Sequence, residues 1–100
     1  MGRKIEYAKT FRDDLTSIGD YILNELSSPQ AARNTAKGIL EATFILKEFP
    51  ETGRILYDYF GNNSGYRYII HKQFLIFYVI YEEKLVVVRV FHRLDRKSVV

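Results

Sequence analysis

The chain contains no cysteine, which excludes disulfides and thiolate metal sites and suits a reducing compartment. Histidine is almost as scarce. The two present, His71 and His92, have no acidic or second histidine neighbour at metal-ligand spacing. The six glycines are not arranged as a phosphate-cradling loop, and none flanks a serine as a nucleophile turn. Metal, nucleotide and acyl-enzyme chemistry therefore find no support, and no cofactor is expected. Long apolar runs are also missing. The longest, Phe74 to Tyr81, is far too short to cross a bilayer as a helix. The opening residues Met1-Gly-Arg-Lys lead into further charge without an apolar stretch. The expectation is a soluble, cytoplasmic protein with no membrane partner.

What is present is ordinary globular material. Of 100 residues, 47% are hydrophobic and 27% charged, which fits one domain spanning residues 1–100. The net charge of +3 is a mild bias that permits a nucleic-acid or acidic-protein partner without demanding either.

Hydrophobic periodicity divides the chain. Arg3 to Tyr7 reads as a short strand with Ile5 and Tyr7 on one face. Thr10 is placed to cap a following helix, with Asp13 and Asp14 in its first turn. Phe11, Leu15, Ile18, Ile22 and Leu26 then form one helical stripe. Gly19 interrupts that stripe, which suggests a close helix contact there. Ser28-Pro29 starts a second helix. Its stripe is Ala32, Ala36, Ile39, Thr43 and Leu46, widened by Leu40 and Phe44, and its end is expected at Phe49-Pro50. Pro50 to Ser64 is irregular but carries Ile55, Leu56, Tyr57, Tyr59 and Phe60, so it should lie across the sheet or its edge.

From Tyr66 the period becomes two. Residues 66–71, 74–82 and 85–93 read as three strands joined by short polar turns, hence antiparallel. The middle strand is apolar at both alternating sets and should be central. In the last strand, strict alternation puts Val86, Val88, Val90 and His92 on one face. Leu85, Val87, Arg89, Phe91 and Arg93 then fall on the other. The predicted fold class is α+β, in the order β-α-α-β-β-β: an N-terminal strand and helical hairpin packed on a mainly antiparallel sheet.

The chemistry left to consider is cationic. Arg89, Phe91 and Arg93 share a strand face, and Arg96 and Lys97 follow. Planar guanidinium groups beside an aromatic ring suit phosphate contact or base stacking. They are equally charges that guard a sheet against edge-to-edge pairing, and this second description also covers Arg67 and Lys72. His92 is a candidate general acid-base group, since histidine titrates near neutrality. Its plainer description is a rim residue beside Val90.

The runs Tyr66-Arg-Tyr-Ile-Ile70, Phe74-Leu-Ile-Phe-Tyr-Val-Ile80 and Val87-Val-Arg-Val-Phe-His-Arg93 resemble the C-terminal meander of the RelE/ParE superfamily, the toxins of type II toxin–antitoxin pairs. Phe49-Pro-Glu-Thr-Gly-Arg54 and the order of elements resemble that superfamily too. RelE-like members cut messenger RNA on the ribosome with a cluster of basic residues, whereas ParE-like members inhibit DNA gyrase. On the RelE pattern, Arg67 and Arg93 stand at cationic positions. Ile69 and Leu75 stand where two further cations belong, and no tyrosine follows Arg93. The resemblance therefore leans to ParE. It implies a gyrase inhibitor that acts by protein–protein binding, with a target-binding surface at Arg89, Phe91, Arg93, Arg96 and Lys97. The alternative is a ribosome-dependent mRNA endonuclease with a degenerate site at Arg67, His92 and Arg93. Either way the resemblance implies a cognate antitoxin in a hetero-oligomer, docked on the unused stripe of the hairpin and the exposed parts of residues 50–64.

Overall fold

A computed structural model describes residues 4–93. Five strands form one mixed sheet in the order β1-β5-β4-β3-β2. They are β1 (Lys4–Tyr7), β2 (Arg54–Tyr57), β3 (Asn63–His71), β4 (Phe74–Ile80) and β5 (Lys84–His92). β1 lies parallel to β5, and the other pairs are antiparallel. β4 is central, as its two-sided apolar sequence requires, with Phe74, Leu75, Ile76 and Tyr78 buried. Two helices, α1 (Lys9–Leu26) and α2 (Pro29–Ala42), form the hairpin. The core closes where Phe11, Ile39 and Leu46 meet Ile76, Tyr78, Leu85, Val87 and Val90.

Local chemistry explains the hairpin and corrects three expectations. α1 starts at Lys9 without a side-chain cap. Instead of capping it, the Thr10 hydroxyl donates to the carbonyl of Val88 at 2.6 Å. Ser28 does cap α2, accepting from the Ala31 amide at 3.1 Å, with Pro29 in the first turn. A β-carbon at Gly19 would meet nothing within 4 Å, so no close contact needs that glycine. Of the two helical glycines it is Gly38 that is closely approached, since a β-carbon there would lie 3.2 Å from His71 Nε2.

α2 ends at Ala42, seven residues before Phe49. The cause is Thr43, fully buried, whose hydroxyl donates to Leu40 O at 2.6 Å and lies 2.7 Å from the Tyr7 phenol. This back-bonding competes with the helical ladder, and Phe44–Lys47 tightens into a 3₁₀ turn. Leu46 stays in the core because a 3₁₀ turn repeats every three residues. Phe44 is turned out to solvent.

Two features of the sheet depart from the sequence reading. Part of the irregular segment is a strand. β2 pairs with β3 through Arg54↔Tyr68 and Ile55↔Arg67, so four strands follow the hairpin rather than three. In β5 the alternation breaks. Tyr78 stands opposite Val87 and Phe77 opposite Arg89, which leaves Val88 as the extra residue of a β-bulge. Leu85 and Val87 therefore share the helix-side face with Val90 and His92, while Val86, Arg89 and Phe91 face away. The unpaired carbonyl at the bulge is the one that Thr10 satisfies.

Candidate functional site

Arg67 stands opposite Tyr78 on the helix-side face. Its guanidinium donates to Gly53 O at 2.9 Å and reaches Glu51 O at 3.5 Å. The Tyr78 phenol donates to Pro50 O at 2.7 Å and accepts the Gly53 amide at 2.9 Å. Burial pushes the Tyr78 phenol above its ordinary pKa of 10.0, because the charged phenolate is poorly solvated there. Arg67 and Tyr78 together clamp the turn that delivers β2 to the sheet edge.

His92 lies opposite Phe74, edge-on to its ring at 5.0 Å, and His71 lies opposite Phe74 on the other side. The row His71-Phe74-His92 was not legible in the sequence, because it depends on the register of three strands. Phe74 and His92 of that row line a cleft of about 870 Å³ between α1 and the β3–β4 turn, together with Ile18, Tyr21, Ile22, Leu26 and Lys72. Arg67 is four residues from His71 along β3, so it lies about 13 Å along the strands from the row that holds His92. The Arg93 amide donates to Gln73 O at 2.6 Å, and its side chain is exposed. The three residues of the alternative catalytic set are thus not brought into one cluster. Ile69 packs against the core while Leu75 faces away from the helices, so the two missing cation positions fall on opposite faces. No group of three or more potential metal ligands occurs among the described residues.

The face turned away from the helices is aromatic. Tyr68 and Phe77 lie 5.6 Å apart, and Phe77 and Phe91 5.7 Å. The Arg89 guanidinium stacks 4.6 Å over Phe91. Arg89 also reaches round the sheet edge to Asp14 of α1, with its two bonds at 2.7 and 3.0 Å. That hydrogen bond raises the Arg89 pKa further above its ordinary high value. The same carboxylate accepts the Val90 amide at 3.1 Å. The structure therefore assembles Arg89 and Phe91 and fixes Arg89 in place. Arg96 and Lys97, the other members of the expected surface, lie outside the described residues.

Residues 5–96 match the family model described as the ParE toxin of the type II toxin–antitoxin system, parDE. The chain belongs to the ParE toxin family. It is the toxin component of a type II toxin–antitoxin system, as the meander and the order of elements implied. Solved structures agree on the fold. The chromosomal ParDE system from P. aeruginosa is 15% identical, covers 90% of this chain and 95% of its own, and superposes with a TM-score of 0.76. The RelBE2 toxin–antitoxin complex from Mycobacterium tuberculosis is 19% identical, covers 93% and 100%, and gives a TM-score of 0.64. YafQ from E. coli is 18% identical, covers 94% and 97%, and gives 0.55. The search of curated proteins finds no match. The ParE fold is thus shared with RelE-type and YafQ-type structures, and it carries the two helices and mixed sheet found here.

Proposed function

We propose that this ParE-family toxin inhibits DNA gyrase by protein–protein docking and is neutralised by a cognate antitoxin. The observation that carries this reading is the dispersal of its cations. Arg67 is spent on the turn at residues 50–53, and His92 lies on a different row. An aliphatic side chain, Leu75, stands where a phosphate-stabilising cation would be needed. Losing one such donor typically lowers kcat by about a hundredfold to a thousandfold. What the exposed face offers instead is Tyr68, Phe77 and Phe91 with one stacked arginine, the residue types enriched in protein interfaces. Arg89, Phe91 and Arg93 form the target-binding surface in this reading, continued by Arg96 and Lys97.

The antitoxin belongs on other surfaces. The second half of α1 leaves Tyr21 and Leu26 exposed at the cleft and Leu23 exposed nearby on the same helix, and β2 is an edge strand among the described residues. An amphipathic helix fits the first, and an added strand fits the second. Several of the similar solved structures are toxin–antitoxin complexes, which supports a partner of this kind.

Two assays run in parallel test the target: gyrase supercoiling with purified toxin, and primer extension on translated messages in cells expressing it. Inhibited supercoiling with intact messages supports gyrase. Codon-positioned cuts with unimpeded supercoiling would instead support the endonuclease.

A further inference from the structure

The β2–β3 turn carries two aromatic side chains that do nothing for the fold. Tyr59 is 95% exposed and Phe60 82%. Turns are built by residues that satisfy their own backbone or adopt left-handed conformations, and here Asp58 and Gly61 do that work. Asp58 Oδ1 accepts the amides of Phe60 and Asn62, both at 2.9 Å. The Asp58 amide donates to Asn62 O at 2.7 Å, and the Gly61 amide to Asp58 O at 3.0 Å. Gly61 sits at φ +85°, where any side chain would be strained. The two rings meet edge to face at 5.3 Å. The result is a convex, preordered aromatic knob held by four hydrogen bonds at its base.

We infer that Tyr59 and Phe60 are an anchor that inserts into an apolar pocket with a basic rim on a folded protein, the toxin's target; this rests on the protein-docking reading above and adds a second point of contact. Shape argues for a folded target. A rigid knob loses little entropy on binding and needs a preformed pocket, whereas a flexible antitoxin segment needs a groove. The cleft beside α1 is such a groove, and it lies by the β3–β4 turn at the opposite end of the sheet. Charge argues for a protein over a nucleic acid. From Ile55 to Tyr66 the sole charged residue is Asp58, and the β4–β5 turn at the same end of the sheet adds exposed Glu82 and Glu83, while the adjoining Lys84 is paired with Glu6 at 3.3 Å. Aromatic rings that stack bases are served by neighbouring cations that take the phosphates. Here the neighbouring charge is negative, which repels phosphate and attracts lysine or arginine.

The test compares full-length toxin with Tyr59→Ser/Phe60→Ser, whose turn hydrogen bonds are untouched, and with Asp58→Asn. Gyrase inhibition should fall about thirtyfold or more in the double variant, the size expected for paired aromatic anchors. Growth arrest on expression should be relieved in step, with the unfolding midpoint and antitoxin affinity unchanged. Asp58→Asn, which keeps an acceptor for the turn, should flatten the salt dependence of gyrase binding. Unchanged inhibition and growth arrest in the double variant would overturn the inference. So would lost antitoxin affinity with intact inhibition, or lost affinity for a single-stranded RNA probe with intact inhibition. If wild-type toxin leaves gyrase unaffected, the gyrase reading fails by itself, and growth arrest then decides the anchor. A double variant that folds, binds antitoxin and no longer arrests growth supports it, and one that still arrests growth overturns it.

Discussion

The phenol of Tyr78 and the backbone of Gly53 fix each other in place across 25 residues: the glycine amide donates to the phenol at 2.9 Å, and a β-carbon at residue 53 would collide with that hydroxyl. The glycine is needed for space and not for a special backbone angle, since its φ is −74°. Gly53→Ala should therefore lower stability by about 1–3 kcal/mol, the usual cost of overpacking. Gly19→Ala should do the reverse and raise it by about 0.5–1 kcal/mol, because the site is open helix. Urea unfolding of both variants checks the contrast.

Tyr78→Phe should leave the Gly53 amide and the Pro50 carbonyl without their partner, at a cost of about 1–3 kcal/mol. The pH dependence follows from the raised phenol pKa. Below its ordinary value both folded and unfolded phenols are neutral, and Tyr78 adds no pH dependence. Above it the unfolded phenol ionises first, so stability falls as pH rises. Denaturant titrations on either side of that value should show the fall in the wild type and a shallower one in Tyr78→Phe.

Asp14→Ala should expose the weakness of the β5 edge. It removes the acceptor for the Val90 amide, at a residue only 2% exposed, and the partner of Arg89. The expected loss is about 1–3 kcal/mol, dominated by the orphaned amide. Arg89→Ala, which breaks a half-exposed ion pair and an exposed stack on Phe91 but orphans no buried amide, should cost less, about 1 kcal/mol. Hydrogen exchange at Val90 should quicken in the first variant and not in the second.

Phe91→Ala and Arg67→Ala should separate docking from folding. Phe91 is exposed at the end of the aromatic face, so its loss should weaken gyrase inhibition about tenfold with little change in unfolding midpoint. Arg67→Ala frees the turn at residues 50–53, so it should lower the midpoint, with inhibition falling only as far as the folded fraction does. Supercoiling and thermal unfolding on the same preparations distinguish the two.

Much of the fold was legible because it rests on local signals. Ser28-Pro29 starts α2, Lys72-Gln73 closes the β3–β4 turn, and the apolar run of β4 places it centrally. β2 was missed because four residues, Arg-Ile-Leu-Tyr, are too few to show a period, and its pairing is decided by β3. The faces of β5 were misassigned from Arg89 onward because alternation assumes an unbroken ladder, and a bulge at Val88 shifts the register by one. The candidate site inherited both limits. Arg67 looked like a free cation until the turn it clamps was in view.

The sequence by itself determined both helices, the other four strands, the order of these elements, the central strand and the family, since these follow from periodicity, turn chemistry and motifs carried within short stretches. The tertiary structure decided which cations are committed and which residues are presented. A guanidinium's role depends on whether a carbonyl 14 residues away, as at Gly53 for Arg67, or a carboxylate 75 residues away, as at Asp14 for Arg89, comes within hydrogen-bonding range. The exposed pair Tyr59-Phe60 likewise reads as loop hydrophobicity in one dimension. Only the hydrogen-bonded turn beneath it shows that the chain holds both rings out in water.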